Sequence, residues 1–303
     1  MRALLAFLLI PSVALAEVPR VVTDIPPVHS IVAMVMGDLG TPTLLLGKGA
    51  DEHDFQLKPS QVSAVAKADL VVWIGPELTP WLDSALDARA GESAVLTLFD
   101  DVGTYKINYF VSALEAGETQ AEAEVHETAG GSIDPHVWLD PSTARWWTGL
   151  IAADLSRLDP KNAATYTANA EAASARIAAA EAEAEALLLP VRDQPFVTFH
   201  DAFGYFISTF GLTPAGTIAL GDAAPTGAAR LSELRSRLEA GGVVCIFPEA
   251  QNDPALVTQL AEGTNVRIGG TLDPVGSSLE PGPDAYAALL IGLAATLADC
   301  LAD

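Results

Sequence analysis

Basic residues and sulfur are scarce in this chain, and each shortage removes a class of function. Lysine and arginine total 16 against 39 aspartates and glutamates, a formal net charge of -23. Nucleic-acid binding needs clustered cations at the phosphates, so no nucleic-acid partner is expected. Only two cysteines occur, Cys245 and Cys300, and they lack the C-x-x-C spacing of thiolate metal sites. The apolar stretch from Ala3 to Ala16 is too short for a membrane span, which needs roughly 20 residues. The motifs H-E-x-x-H, G-x-S-x-G and G-x-x-x-x-G-K-[ST] are absent, which leaves helix-borne zinc proteases, serine hydrolases and P-loop enzymes without support.

What is present begins with an export signature. Met1-Arg2, the apolar run and Ala14-Leu15-Ala16 form a charged start, a short hydrophobic core and an A-x-A site, so residues 1–16 are expected to be a cleaved signal peptide. No cysteine follows the cleavage point to take a lipid, and a periplasmic location is expected. In that oxidising space Cys245 and Cys300 are expected to pair as a disulfide. Half of the residues are hydrophobic and only 18% are charged, enough for a sizeable core. The acidity keeps an exported protein soluble and raises the cation concentration at its surface.

The chain alternates strand and helix signals on either side of one long helical stretch. Arg20 to Thr23, Thr43 to Leu46, Asp69 to Ile74 and Ala94 to Leu98 read as strands. Val28 to Met36, Ser60 to Lys67 (capped by Ser60) and Trp81 to Arg89 read as helices. A helix follows Asp140-Pro141 as far as Leu158. Asp159-Pro160 then supplies an N-cap and a proline at the first helical position. From Lys161 to Leu189 there is neither glycine nor proline, which predicts a rod of roughly 43 Å at 1.5 Å per residue. Beyond Pro190 the strands are Phe196 to Phe199, Val243 to Phe247 and Asn265 to Ile268. The helices are Ala202 to Phe210, Thr226 to Ala240, Pro254 to Glu262 and Asp284 to Leu301. The expected fold is α/β: two Rossmann-like lobes with parallel sheets, 17–158 and 190–303, joined by a rigid helix over 159–189. An acidic loop, about 113–133, interrupts the first lobe, since Ile107 to Ala144 holds six acids before Pro135 and no lysine or arginine.

Histidine is rare too, with five in 303 residues, and three of them sit at junctions between elements. They occur in Glu52-His53-Asp54-Phe55, Asp134-Pro135-His136-Val137-Trp138-Leu139-Asp140-Pro141 and Phe199-His200-Asp201-Ala202-Phe203. A single histidine beside a strand end is more often a core or capping residue than a ligand. Three such residues with acidic or aromatic neighbours point to a metal site drawn from distant segments, because three imidazoles and one further donor complete a zinc shell. Asp54, Asp134 and Asp201 suit outer-sphere acceptors or caps. His29, at a helix start, reads as structural.

Together with Leu57-Lys58-Pro59-Ser60, Ala68 to Glu77 and Leu272-Asp273-Pro274, these segments resemble the ZnuA-type zinc-binding proteins of ABC transporters. The resemblance spans essentially the whole mature chain. It implies two lobes bridged by a long helix with metal in the cleft, and a non-enzymatic protein that captures Zn2+ and passes it to an ABC permease. By position it implies His53 and His136 as ligands from the first lobe and His200 from the second, with Asp273 as the fourth donor ahead of water or Glu52. Manganese and iron carriers of the same fold are similar to a glutamate at the third position, so His200 favours zinc. The acidic loop is similar to the His-rich loop of this group but holds only His126, which argues for an accessory role. A monomer is expected. A manganese or iron carrier and a three-histidine zinc hydrolase are the alternatives, the latter because an open fourth position is also a catalytic arrangement.

Overall fold

The structure, a computed structural model, describes residues 18–89, 94–109, 133–219 and 227–302. The proposed signal peptide, most of the acidic loop and His126 lie outside the described residues.

In the first half, β1 (Val21–Thr23), α1 (Pro26–Met36), β2 (Thr43–Leu44), α2 (Pro59–Lys67), β3 (Leu70–Trp73), α3 (Pro80–Asp87) and β4 (Ala94–Thr97) build one sheet. In the second, β5 (Phe196–His200), β6 (Pro214–Ala219), β7 (Cys245–Ile246) and β8 (Arg267–Ile268) build another. The sheets are wholly parallel, and their orders, β2-β1-β3-β4 and β6-β5-β7-β8, are the same pattern used twice. In such sheets the chain reverses direction beside the first strand, which opens a crevice at the carboxyl ends of the two central strands. The first crevice is closed by Asp24, a fully buried carboxylate just after β1. It accepts from the amides of Ile25 and Ile74 at 2.8 Å each and so ties the ends of β1 and β3 together. Burial lifts its pKa to about 6 against the pull of those amides. The second crevice is where His200 ends β5.

Between the sheets run α4 (Pro141–Leu158) and α5 (Ala163–Leu188), joined by a short 3₁₀ turn over Pro160–Asn162. Asp140 starts α4 by accepting from the amides of Ser142 and Thr143, with Pro141 at the first position. Asp159 departs from its expected capping role. Its side chain accepts from Asn162 Nδ2 and the Tyr166 hydroxyl instead, and α-helix begins only at Ala163. The helix expected to bridge the lobes is a packed element along its length. It lies against α1, α4 and α9 (Ala285–Leu301), burying Tyr166, Ala170, Ala173, Ile177, Ala180, Ala184 and Leu188. Four of those seven are alanine, so the helices meet closely. One continuous apolar core runs through these helices from Val21 to Leu301, and a smaller core covers the other face of each sheet.

Two further expectations change locally. Ser60 is not a cap: α2 begins at Pro59, and the Gln61 side chain accepts from the Lys58 amide at 2.8 Å. Strand β6 has no counterpart among the expected strands. Its Pro214 and Gly216 read as turn residues, but Pro214 is tolerated on an edge strand, and the register against β5 skips Ala215 in a bulge that breaks the alternation. The remaining helices are α6 (Gly204–Phe210), α7 (Ala228–Ala240) and α8 (Ala255–Ala261).

Cys245 on β7 and Cys300 on α9 form the expected disulfide, at a sequence separation of 55. Closing a loop of that length stabilises the fold by roughly 4 kcal/mol in the chain-entropy account. Reduction is therefore expected to lower the thermal midpoint clearly, as read by calorimetry with and without a thiol reductant. An unchanged midpoint after complete reduction would show the bridge to be dispensable.

Candidate metal centre

Three chain segments converge at the cleft. His53 lies in the loop between β2 and α2, His136 just before a 3₁₀ turn (Val137–Leu139) that leads into α4, and His200 at the carboxyl end of β5. One ring nitrogen from each lies within 4.8 Å of the others. His136 and His200 are buried, and the His53 side chain keeps 19% of its surface.

Carboxylates set the ring orientations of the two buried histidines. His136 Nδ1 lies 2.7 Å from Asp134 Oδ1, which also accepts from the His136 amide at 2.9 Å. His200 Nδ1 lies 2.6 Å from Glu249 Oε2, and Asn252 donates to the other Glu249 oxygen at 3.0 Å. An ionised carboxylate can only accept, so each Nδ1 carries the proton and each Nε2 presents a lone pair. These two Nε2 atoms face each other at 3.4 Å. A tetrahedral zinc with Zn–N of 2.0–2.1 Å separates its nitrogens by about 3.3–3.4 Å, so the pair stands at the spacing of one zinc edge.

His53 is held differently. Its amide donates to Asp51 Oδ1 at 2.8 Å, and the preceding carbonyl, of Glu52, accepts from Trp81 Nε1 at 2.7 Å. The Glu52 carboxylate is 2% exposed and lies 3.9 Å from His53 Nε2. Burial pushes its pKa up to about 7, offset in part by His136. Burial likewise lifts Asp134 to about 6, again against His136.

The site gathers the expected histidines but not the expected fourth residue. Asp273 is not among the side chains that meet within that distance. Its Oδ1 accepts from the Ser277 amide (3.0 Å) and Gln251 Nε2 (3.3 Å). Its Oδ2 accepts from the Ser278 amide (2.8 Å) and hydroxyl (2.6 Å). Asp134 is buried against His136 Nδ1, Asp201 is buried beside His200, and Asp54 is exposed. Glu249 was not singled out from sequence. Its position just past β7, in Phe247-Pro248-Glu249, is the one signal that could have found it. His29 is buried, with Nε2 3.2 Å from the Pro42 carbonyl, in keeping with a structural role.

Two parallel-sheet lobes around an imidazole-lined cleft define the metal-binding class of solute-binding proteins. The chain belongs to the ZnuA family, described as "Zinc-uptake complex component A periplasmic", whose profile matches residues 21–300. It is 45% identical to the high-affinity zinc uptake system protein ZnuA of Paracoccus denitrificans (strain Pd 1222), over 95% of this chain and 93% of that one. Among solved structures, the laminin-binding protein Lbp of Streptococcus pyogenes is similar at 26% identity and a TM-score of 0.73, covering 94% of this chain and 99% of its own. The solute-binding protein FpvC of Pseudomonas aeruginosa, solved in complex with Mn2+, shares the fold at 21% identity and a TM-score of 0.78, covering 94% and 99%. Among the described residues no helix is long and apolar enough to cross a membrane.

The carboxylate behind the His136 imidazole gives a direct test. Asp134→Asn keeps the size of a fully buried side chain but removes the acceptor charge. It is expected to lower metal affinity about 10- to 100-fold, the range for loss of an outer-sphere partner. Chelator-competition titration measures this, and parental affinity would remove Asp134 from the site.

Proposed function

We propose that this chain captures Zn2+ in the periplasm and hands it to an ABC permease, with His53, His136 and His200 as ligands. The observation that carries the reading is the pair of Nε2 atoms at 3.4 Å, each backed by a carboxylate, with His53 closing the third side. A nitrogen-rich set favours zinc over manganese, which prefers carboxylate oxygens. The fourth position goes to Glu52, the buried oxygen donor beside His53, or to water. No catalysis is assigned to the site. Residues 1–16 act as the export signal, and the mature protein works as a monomer divided at 17–158, 159–189 and 190–303. The acidic loop, about 113–133, is an accessory.

Manganese is the second reading, favoured by the Mn2+ complex of FpvC on the same fold. Elemental analysis of the mature protein, purified without added metal, separates the two. One equivalent of zinc supports the proposal, and manganese in its place would overturn it. His53→Ala, His136→Ala and His200→Ala are each expected to weaken zinc binding severely, because each opens the shell. Parental titrations for all three would refute the assignment.

Proton linkage supplies an independent measurement. Neutral imidazoles bind metal, so affinity should fall at lower pH as protons compete for the nitrogens. The Glu52 carboxyl, raised to about 7, is largely protonated at pH 6 before metal arrives. Zinc binding near pH 6 is therefore expected to release a proton from Glu52, and Glu52→Gln should release fewer. Calorimetry in buffers of different ionisation enthalpy counts them, and equal release from parent and variant would remove Glu52 from the shell.

A further inference from the structure

The Asp273 carboxylate is tied into its own turn. Four of the five hydrogen bonds it accepts come from Ser277 and Ser278 and build a turn over residues 273–278, helped by Gly276, whose φ of +67° suits glycine and whose amide donates to the Asp273 carbonyl at 3.2 Å. This turn touches two of the segments that carry the histidines and the loop that carries Glu249, the carboxylate against His200. Its Ser277 carbonyl accepts from the Gly49 amide at 3.1 Å, in the loop that leads to His53. Its Pro274 carbonyl accepts from Trp138 Nε1 at 2.8 Å, two residues beyond His136. On its third side, Gln251 donates to both Asp273 Oδ1 and Ser277 Oγ, two residues beyond the Glu249 that orients His200.

We infer that Asp273 is a positioning residue: by building the 273–278 turn it holds the His53, His136 and His200 segments in register across the cleft. The dependence is greatest for His53. The other two imidazoles each have a carboxylate behind the ring, whereas the His53 loop is gripped by Trp81 from its own lobe and by this turn from the opposite one. A Lys48–Glu280 ion pair at 2.6 Å accompanies the grip, but both partners are solvated and contribute little. The hydrogen bond from the exposed Gly49 amide to buried Ser277, with the turn behind it, bears the constraint.

The inference rests on the zinc-binding reading, and the test separates the two. Asp273→Ala and Asp273→Asn are compared with the parent as full mature chains, each first checked for a native thermal transition. Asp273→Ala is expected to weaken zinc about 10-fold in chelator competition, the lower end for loss of an outer-sphere partner. Asparagine still accepts from the Ser277 amide and should recover most of that loss, although a carboxamide is a poor zinc donor. Both variants loaded with cobalt(II) should keep the parental visible bands, since the shell is unchanged. Amide hydrogen exchange of the metal-free alanine variant should speed up across residues 47–55. Equal weakening by alanine and asparagine with shifted cobalt bands would make Asp273 a ligand and overturn the inference, as would parental affinity and exchange in the alanine variant. Should the alanine variant fail to fold, Ser278→Ala removes one contact to Oδ2 and is expected to give the same changes at smaller size, with parental behaviour counting against the inference. If the parent itself bound no zinc, the functional reading would fail, while the metal-free exchange measurement would still decide the turn's role.

Discussion

Two imidazole nitrogens facing each other at 3.4 Å form an arrangement that a folded protein does not adopt without cause. Each presents a lone pair toward the other because its far nitrogen is committed to a carboxylate. The contact joins residues 64 apart in sequence, one from each lobe. Other contacts must hold the halves together at this point. The Tyr205 hydroxyl on α6 does so directly, donating to the Asp134 carbonyl at 2.8 Å and accepting from the Ile107 amide. The Tyr286 hydroxyl on α9, donating to the Trp138 carbonyl at 2.6 Å, is a second such link.

The architecture supplies the rigidity for this. Using one strand order twice places a crevice at the carboxyl edge of each sheet. The two crevices are treated unequally. In the first, Asp24 seals the gap, and the histidines of the cluster come from loops further out. In the second, the gap itself holds the His200–Glu249 pair, a strand end and a loop from the two central strands. One half thus brings long adjustable arms and the other a fixed anchor.

Much of this was legible in the chain because local rules govern it. The buried strands read as β-branched runs, Asp140-Pro141 marks a helix start, and the uninterrupted stretch before Pro190 marks the long helix. The histidines stood out through rarity and composed surroundings. What escaped depends on geometry between segments. β6 was hidden because a bulge at Ala215 and an edge-strand proline erase its pattern. Glu249 carries no local sign that His200 lies 49 residues upstream at hydrogen-bond distance. Asp273 could be placed near the cleft from its motif, but whether its oxygens face outward or into their own turn depends on Ser277 and Ser278, whose amides had no known partner in the sequence.

The alanine seam of α5 has a consequence at the far end of the molecule. Because a single core runs through α1, α4, α5 and α9, the halves are not free to rotate about a flexible joint. Their separation is set by how closely those helices approach, and alanines at 170, 173, 180 and 184 keep that approach short. The seam therefore works as a gauge block. Its thickness sets how far apart the two halves stand, and a methyl group added there would push them apart without touching the histidine cluster. The spacing of the two halves is thus partly written in the smallest side chains of the structure.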